Sequence, residues 1–425
     1  MSSWVISVGD QSAFALSAAF TRYMGIGGFI QSRVEVDVQH RIRHTCNLTK
    51  LLVRVSTNTH DGSDVVTLRV NGAAGNLTLT VPSLATGVFE DLSNTDLLSD
   101  GDLVATEIAS GGTVGILDLT LVSYVLTDPA GDRHYVMGQA RGGAGETPSF
   151  GSTIFGRIGG RVAHNRTTEA DAQYRLRFAT TLDRFRIVVA SNTIDGTSTF
   201  RTRVNGVNGN QTFTVGALAT GEFEDTTNSD TITSGDLVNS MLVTLGTTGV
   251  IEVSYTQIRM DAVGRPTISG TDAGAIVFTP GGGNRFPAIE DGLLTNSLEA
   301  ESNASLRARI RYNARNYHVF VVSNTAEPAT VISLRVQETT SLLSVTIPSL
   351  ATGEFEDLVN TIEVTEDQEV NHLIDVSALT EGSISLAHVG FQQDAVEEVE
   401  VASPSQGVVG STIWGIARPL RVLAY

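Results

Sequence analysis

The octapeptide Leu84-Ala85-Thr86-Gly87-Val88-Phe89-Glu90-Asp91 recurs at Leu218–Asp225 and again, after a nearly equal interval, at Leu350–Asp357. Other landmarks keep the same spacing. Asn58-Thr59 maps to Asn192-Thr193 and Asn324-Thr325, and Arg69-Val70-Asn71-Gly72 maps to Arg203-Val204-Asn205-Gly206. Gly101-Asp102-Leu103-Val104 maps to Gly235–Val238. Arg41 and Arg43 map to Arg175 and Arg177, then to Arg307 and Arg309. The third copy has diverged most, reading Gln337-Glu338 for Asn-Gly and Asp367-Gln368-Glu369-Val370 for Gly-Asp-Leu-Val. Solenoid repeats run about 20–50 residues, so this much longer period predicts three self-sufficient domains. Turn-rich stretches place them at residues 1–135, 136–268 and 269–409, followed by a C-terminal strand at 410–425.

Within the first copy, β-rich runs at Ala18–Met24, Val34–His44, Leu51–Ser56, Val65–Asn71, Leu77–Val81, Leu103–Ile108 and Ile116–Val125 predict short strands. Leu77, Leu79 and Val81 alternate with Thr78 and Thr80, the pattern of a strand with one buried face. Asp61-Gly62 and Asn71-Gly72 are dipeptides that favour hairpins. A helical turn or two is conceivable only near Ile289–Leu298. Seven or eight strands with no Trp at a shared position suit a jelly roll better than an immunoglobulin sandwich. The expected fold is therefore all-β, three tandem jelly-roll-like β-sandwiches, clustered about a pseudo-threefold axis if they pack side by side and rod-like if they do not. Gly151-Ser152-Thr153-Ile154-Phe155-Gly156 resembles Gly410-Ser411-Thr412-Ile413-Trp414-Gly415, which suggests a tail strand that pairs with a sheet edge or with another molecule.

A formal charge of −18, from 46 acidic and 28 basic residues, repels polyphosphate and argues against direct nucleic-acid binding. Cys46 is the lone cysteine, which excludes an intrachain disulfide and Cys-based zinc spacing; its expected role is a small core residue. The N-terminus has no basic region followed by an apolar core, and no apolar run approaches the length of a membrane span. The expectation is synthesis in a cytosol without membrane insertion.

The acids after the octapeptide are the main candidate ligands. Glu90, Asp91, Asn94 and Asp96, and their counterparts Glu224, Asp225, Asn228 and Asp230, are hard-oxygen donors of the kind calcium takes. The rival reading is a strand end whose Asx side chains bind their own backbone, and Ile362 stands where a third set would need its last acid. The favoured expectation is no metal and no cofactor. The Arg41/Arg43 pair is expected to meet acids on an adjacent strand. Phe89, Phe223 and Phe355, each held between Gly and two acids, are expected core anchors. The eight His share no repeated position, no HExxH, GxSxG or GxxxxGK[ST] occurs, and no enzyme is expected.

The repeated series Asn-Thr-x-Asp-Gly, Arg-Val-Asn-Gly, Leu-Ala-Thr-Gly-x-Phe-Glu-Asp and Gly-Asp-Leu-Val resembles a β-sandwich module of tailed-bacteriophage virion proteins, over Arg41–Val125, Arg175–Met260 and, more weakly, Arg307–Phe391. The resemblance implies a non-enzymatic particle component of the head decoration or cement type. Such a protein is made in the host cytoplasm, sits on the virion surface, and has the major capsid protein or other virion proteins as partners, with self-association through 410–425 as a further option. The alternative is a tail fibre, spike or receptor-binding protein that recognises a host-surface glycan.

Overall fold

A computed structural model describes residues 2–17, 19–26, 31–131, 133–139, 148–158, 160–161, 167–262, 264–270, 276–280, 284–286, 301, 306–308 and 310–395. Among them the elements are strands, apart from short 3-10 turns such as Glu35–Asp37 and Glu169–Asp171. No described helix is long and apolar enough to cross a membrane.

The first unit contains β1 (Ser2–Ser17), β2 (Thr21–Met24), β3 (Gln31–Ser32), β4 (His40–Arg41), β5 (Cys46–Asn58), β6 (Asp64–Val70), β7 (Ala73–Val81), β8 (Gly87–Leu98), β9 (Leu103–Ser110) and β10 (Ile116–Asp128). Its sheets are ordered β1-β10-β5-β8 and β3-β2-β9-β6-β7, with β4 also on β9. Setting aside short β3 and β4, strands one, eight, three and six form one sheet and two, seven, four and five the other. That interleaving is the double Greek key of a jelly roll, so first and last strands are neighbours.

The second unit comprises β11 (Arg133–Gln139), β12 (Thr153–Gly156), β13 (Gly160–Arg161), β14 (Tyr174–Arg175), β15 (Thr180–Asn192), β16 (Ser198–Val204), β17 (Val207–Val215), β18 (Gly221–Glu224), β19 (Ser229–Ile232), β20 (Leu237–Thr244) and β21 (Ile251–Asp261). It repeats the plan as β11-β21-β15-β18 and β12-β20-β16-β17. The third comprises β22 (Gly264–Gly270), β23 (Ile276–Phe278), β24 (Leu306–Arg307), β25 (Tyr312–Asn324), β26 (Thr330–Val336), β27 (Thr339–Ile347), β28 (Gly353–Val364), β29 (Glu369–Asp375) and β30 (Ile384–Ala395), ordered β22-β30-β25-β28 and β24-β29-β26-β27. The chain is therefore all-β, with three tandem jelly rolls.

Hydrogen bonding changes partner between Asp128 and Arg133 and between Asp261 and Gly264. These changeovers lie a few residues before the 135 and 268 limits read from the glycine-rich stretches, because each opening strand precedes its glycines. Thr153–Gly156 is accordingly the second main strand of its unit rather than the opening one. Its likeness at 410–415, the tail segment 410–425 and the Ile289–Leu298 stretch lie outside the described residues.

Alternation builds the sandwich where the sequence shows it. Leu77, Leu79 and Val81 are buried on β7 while Thr78 and Thr80 face solvent. Between Val34 and His44 the expected strand does not form. Val34 and Val36 are exposed, the chain makes a 3-10 turn, and only two residues join a sheet, since Val38 is needed in the core of the second unit. Asp61-Gly62 is not a hairpin either; it lies in the crossover from β5 in one sheet to β6 in the other. Asn71-Gly72 does turn a hairpin, with both residues at positive φ (52° and 80°). Gln337 and Glu338 keep that geometry (52° and 58°) although neither favours it, so losing Asn-Gly does not change the turn. The register closing β26 on β27, Val336 against Thr339, matches Val70 against Ala73.

Candidate functional site

The acids after the octapeptide face two ways. Asp91 Oδ1 accepts the backbone N–H of Ser93 (3.2 Å) and Asn94 (3.1 Å), and Oδ2 accepts the N–H of Thr78 (3.0 Å) and Nδ2 of Asn94 (2.9 Å). Asp225 repeats this with Thr227, Asn228 and Thr212, and Asp357 with Val359, Asn360 and Ser344. Each carboxylate thus ties a bulge after the octapeptide to the neighbouring edge strand of the other sheet. Burial alone would raise the Asp225 pKa, but the bonds from Asn228, Thr212 and Thr227 outweigh it and hold the carboxyl at about 2.

Asp96 accepts the backbone N–H of Asn76 and Leu77 (both 2.8 Å), and Asp230 accepts from Asn210 N–H (2.6 Å) and Thr202 Oγ1 (2.5 Å). A Cβ on Gly75 or Gly209 would stand 2.9 Å or less from those carboxylates. The third unit, with Ile362 in place of the acid, carries Ser341 at the glycine position. The aspartate oxygens among the candidate calcium ligands are therefore engaged with backbone and side-chain donors. Among the described residues no group of three or more His, Cys, Asp and Glu is arranged to hold a metal.

The glutamates point outward to the seams between units. Arg41 Nε and Nη2 each lie 2.6 Å from Glu222 carboxylate oxygens, and Arg43 forms a forked pair with Glu224 (Nε to Oε1 2.8 Å). Arg175 pairs with Glu354 (2.9 Å) and Arg177 with Glu356 (2.7 Å). These two arginine pairs thus meet acids of the next unit, not of an adjacent strand in their own; Arg309 of the third pair lies outside the described residues. Fully buried Arg186 adds an ion pair to Glu222 (2.9 Å). Glu222 is partly desolvated, yet Arg41 and Arg186 hold its pKa at about 2.

The first and third units also meet. Arg54 Nη2 is 3.1 Å from Glu369 Oε1, and Lys50 pairs with Glu366. By the repeat spacing Arg54 corresponds to Val188 and Glu369 to Leu103, and Val188 and Leu103 together line a cleft of about 380 Å³ at the first seam. All three seams therefore join the same two surfaces, in the cyclic order one to two, two to three, three to one. The units form a closed ring about a pseudo-threefold axis.

Apolar contacts follow the same rule. Tyr135, Val188 and Tyr255 of the second unit belong to the core cluster of the first, Val38 and Ala105 of the first to that of the second, and Leu52 and Leu121 of the first to that of the third. His40 Nδ1 lies 2.5 Å from Tyr255 Oη, and Tyr174 packs edge-on against His318 (4.8 Å between centroids). Burial pushes His40 well down, helped by the Arg186 and His44 charges, and pushes His318 down to about 4. The units share no histidine position because the seam pair changes identity: Tyr255, His388 and Leu121 are register-equivalent, facing Val188, Phe320 and Arg54.

Phe89, Phe223 and Phe355 each pack against their own unit's core but remain half-buried, because their strand edge is open. Cys46 lies in the first core, where burial pushes its thiol up to about 12. The residue that sequence reasoning missed is the first of the octapeptide. Leu84, Leu218 and Leu350 are 66%, 63% and 60% exposed, at φ of 62°, 59° and 64°. A left-handed conformation costs a residue with a Cβ roughly 1–2 kcal/mol. A leucine ahead of Ala-Thr-Gly, directly after Pro-Ser or Gly-Ala, is a turn signal that was available.

No family model matches the chain, and no curated protein does. Among solved structures it aligns with a chain described as a triple jelly roll in the turret assembly of an archaeal virus (12% identity, 91% of this chain and 90% of that chain, TM-score 0.20). It also aligns with a chain of Sulfolobus turreted icosahedral virus (12%, 92% and 92%, TM-score 0.20) and with an insecticidal delta-endotoxin of Bacillus thuringiensis (8%, 59% and 60%, TM-score 0.19). At these values the likenesses bear no weight for function.

Proposed function

We propose that the chain is a non-enzymatic structural protein of a virus particle, and specifically a decoration or cement protein that sits across joints between coat subunits of a tailed bacteriophage. The observation that carries the reading is the closed ring: one chain supplies a ready-made pseudo-trimer whose seams are held by its own ion pairs. Three linked modules raise effective concentration, so contacts that are individually weak hold together. Glu90 and Asp91, adjacent on β8, face opposite ways in the manner of their counterparts Glu224 and Asp225, and so do not converge on a substrate as a glycosidase pair must. The resemblance of the repeated series to phage virion modules supports the same reading. Electron microscopy of particles from the source tests it. The expected result is three-lobed density bridging coat subunits; density at a tail tip, or particles lacking the chain, would overturn it.

A further inference from the structure

We propose that the three turns carrying Leu84, Leu218 and Leu350 form one trivalent docking face, whose occupant is a protein assembly presenting three equivalent apolar pockets, rimmed by Lys or Arg, around a threefold axis. This rests on the chain being part of a particle and names the surface by which it attaches.

Each turn is built identically. The N–H of Ala85, Ala219 and Ala351 donates to the carbonyl of Pro82, Gly216 and Pro348 (3.1, 3.2 and 3.2 Å), which leaves the leucine at the third position with positive φ. Gly or Asn suits that position; leucine does not. The turns are also held rigidly. Asn58 Nδ2 donates to Pro82 O (3.0 Å) and Ala85 O (3.1 Å), and Asn192 and Asn324 do the same in their units. Rigid presentation lowers the entropy lost on docking. The third unit has given up Asn-Gly and Gly-Asp-Leu-Val but keeps this leucine, unfavourable conformation included.

Cyclically equivalent seams relate the three turns by the pseudo-threefold axis and bring their tips to one height along it, and we take that level to be the docking face. Exposed Asp61, Asp195 and Glu327 stand in the loops that directly follow the turn-binding Asn58, Asn192 and Asn324. Residues 59–63, 82–86 and 111–115, and their counterparts 193–197, 216–220, 245–249, 325–329, 348–352 and 376–383, contain no Lys or Arg. An acidic rim around an apolar knob is complementary to a basic rim around an apolar pocket. It is repelled by a second copy of the same face, by nucleic acid and by anionic lipid.

The test uses the full-length chain and source particles assembled without it. Wild type is expected to rebind. Replacing a leucine by Asn, which fits the left-handed turn, is expected to keep or raise the melting temperature and to weaken rebinding roughly tenfold or more for each site; Leu84→Asn/Leu218→Asn/Leu350→Asn abolishes it. A triple variant that rebinds like wild type overturns the docking face while the particle role stands. Wild type that fails to rebind overturns both, and is read from wild type alone. Asp61→Asn/Asp195→Asn/Glu327→Gln, which removes the charge but keeps an oxygen for the Thr113 and Thr247 bonds, should also weaken rebinding; full retention would contradict a basic-rimmed pocket. Leucine-dependent dimerisation in sedimentation, or leucine-dependent flotation with phosphatidylcholine vesicles, would assign the face to another occupant and overturn the proposal.

Discussion

Arg54 Nη2 stands 3.1 Å from Glu369 Oε1, joining the first unit to the last across 315 residues of chain. Arg54 is buried and Glu369 is about one-third exposed, so removing the acid takes an ion-pair partner from a buried guanidinium at the closing seam. Glu369→Leu is expected to cost about 1–2 kcal/mol, between the values for surface and buried pairs. Chemical unfolding measures it. Arg54→Leu/Glu369→Leu should recover most of the loss, since the equivalent pair at the first seam is Val188 and Leu103.

Glu222 serves Arg41 and buried Arg186 together. Glu222→Ala leaves Arg186 without its ion pair and is expected to cost about 3 kcal/mol. Glu354→Ala at the second seam, where His318 replaces Arg186, should cost less. Equal losses in thermal melts would show that Arg186 is not what makes the first seam sensitive.

Acid should act first on the buried histidines, those of the seams and His372 inside the third unit, which burial holds down to about 3. His40, His44 and His318 are held below the ordinary imidazole value, His44 and His318 to about 4, chiefly by burial. A depressed folded pKa means the unfolded chain binds more protons between about 4 and 6.5, so stability falls as pH drops through that window. Asp61 and Asp195, held to about 2 by bonds from Val114 and Thr113 and from Thr247 and Thr248, add a separate loss only below about pH 4. Melting followed from pH 7 to pH 3 should show two steps in that order; a flat profile down to pH 4 would mean the histidines titrate freely.

Asp225 accepts five hydrogen bonds, so Asp225→Ala should destabilise the second unit by about 3 kcal/mol. Calcium added to the wild-type protein should leave melting unchanged. A rise of several degrees would restore the ligand reading. Half-buried Phe223 should cost about 2 kcal/mol on truncation to Ala, below the range for a fully buried ring.

The repeat and the alternation on β7 made the unit and its sandwich legible, because the short period of a strand and the long period of a domain are both properties of chain order. The seams were not. Arg41 and Arg43 were visible as a pair, but their partners Glu222 and Glu224 lie 181 residues away, on a strand edge that only closure of the ring brings near. The exposure of Leu84 was not read from the sequence, since positive φ at its turn is fixed by the bonds of Ala85 and Asn58 and not by its own side chain. Gln337-Glu338 shows the converse: strand pairing imposes a turn that the residues themselves disfavour.

Small-angle scattering of the full-length chain in solution tests ring closure most directly. Compact packing of 425 residues gives a radius of gyration of about 22 Å, whereas three such units end to end give roughly 30 Å. The ring predicts a value near the first figure that rises toward the second when Glu222, Glu354 and Glu369 are replaced together. A wild-type value near the second figure would contradict it.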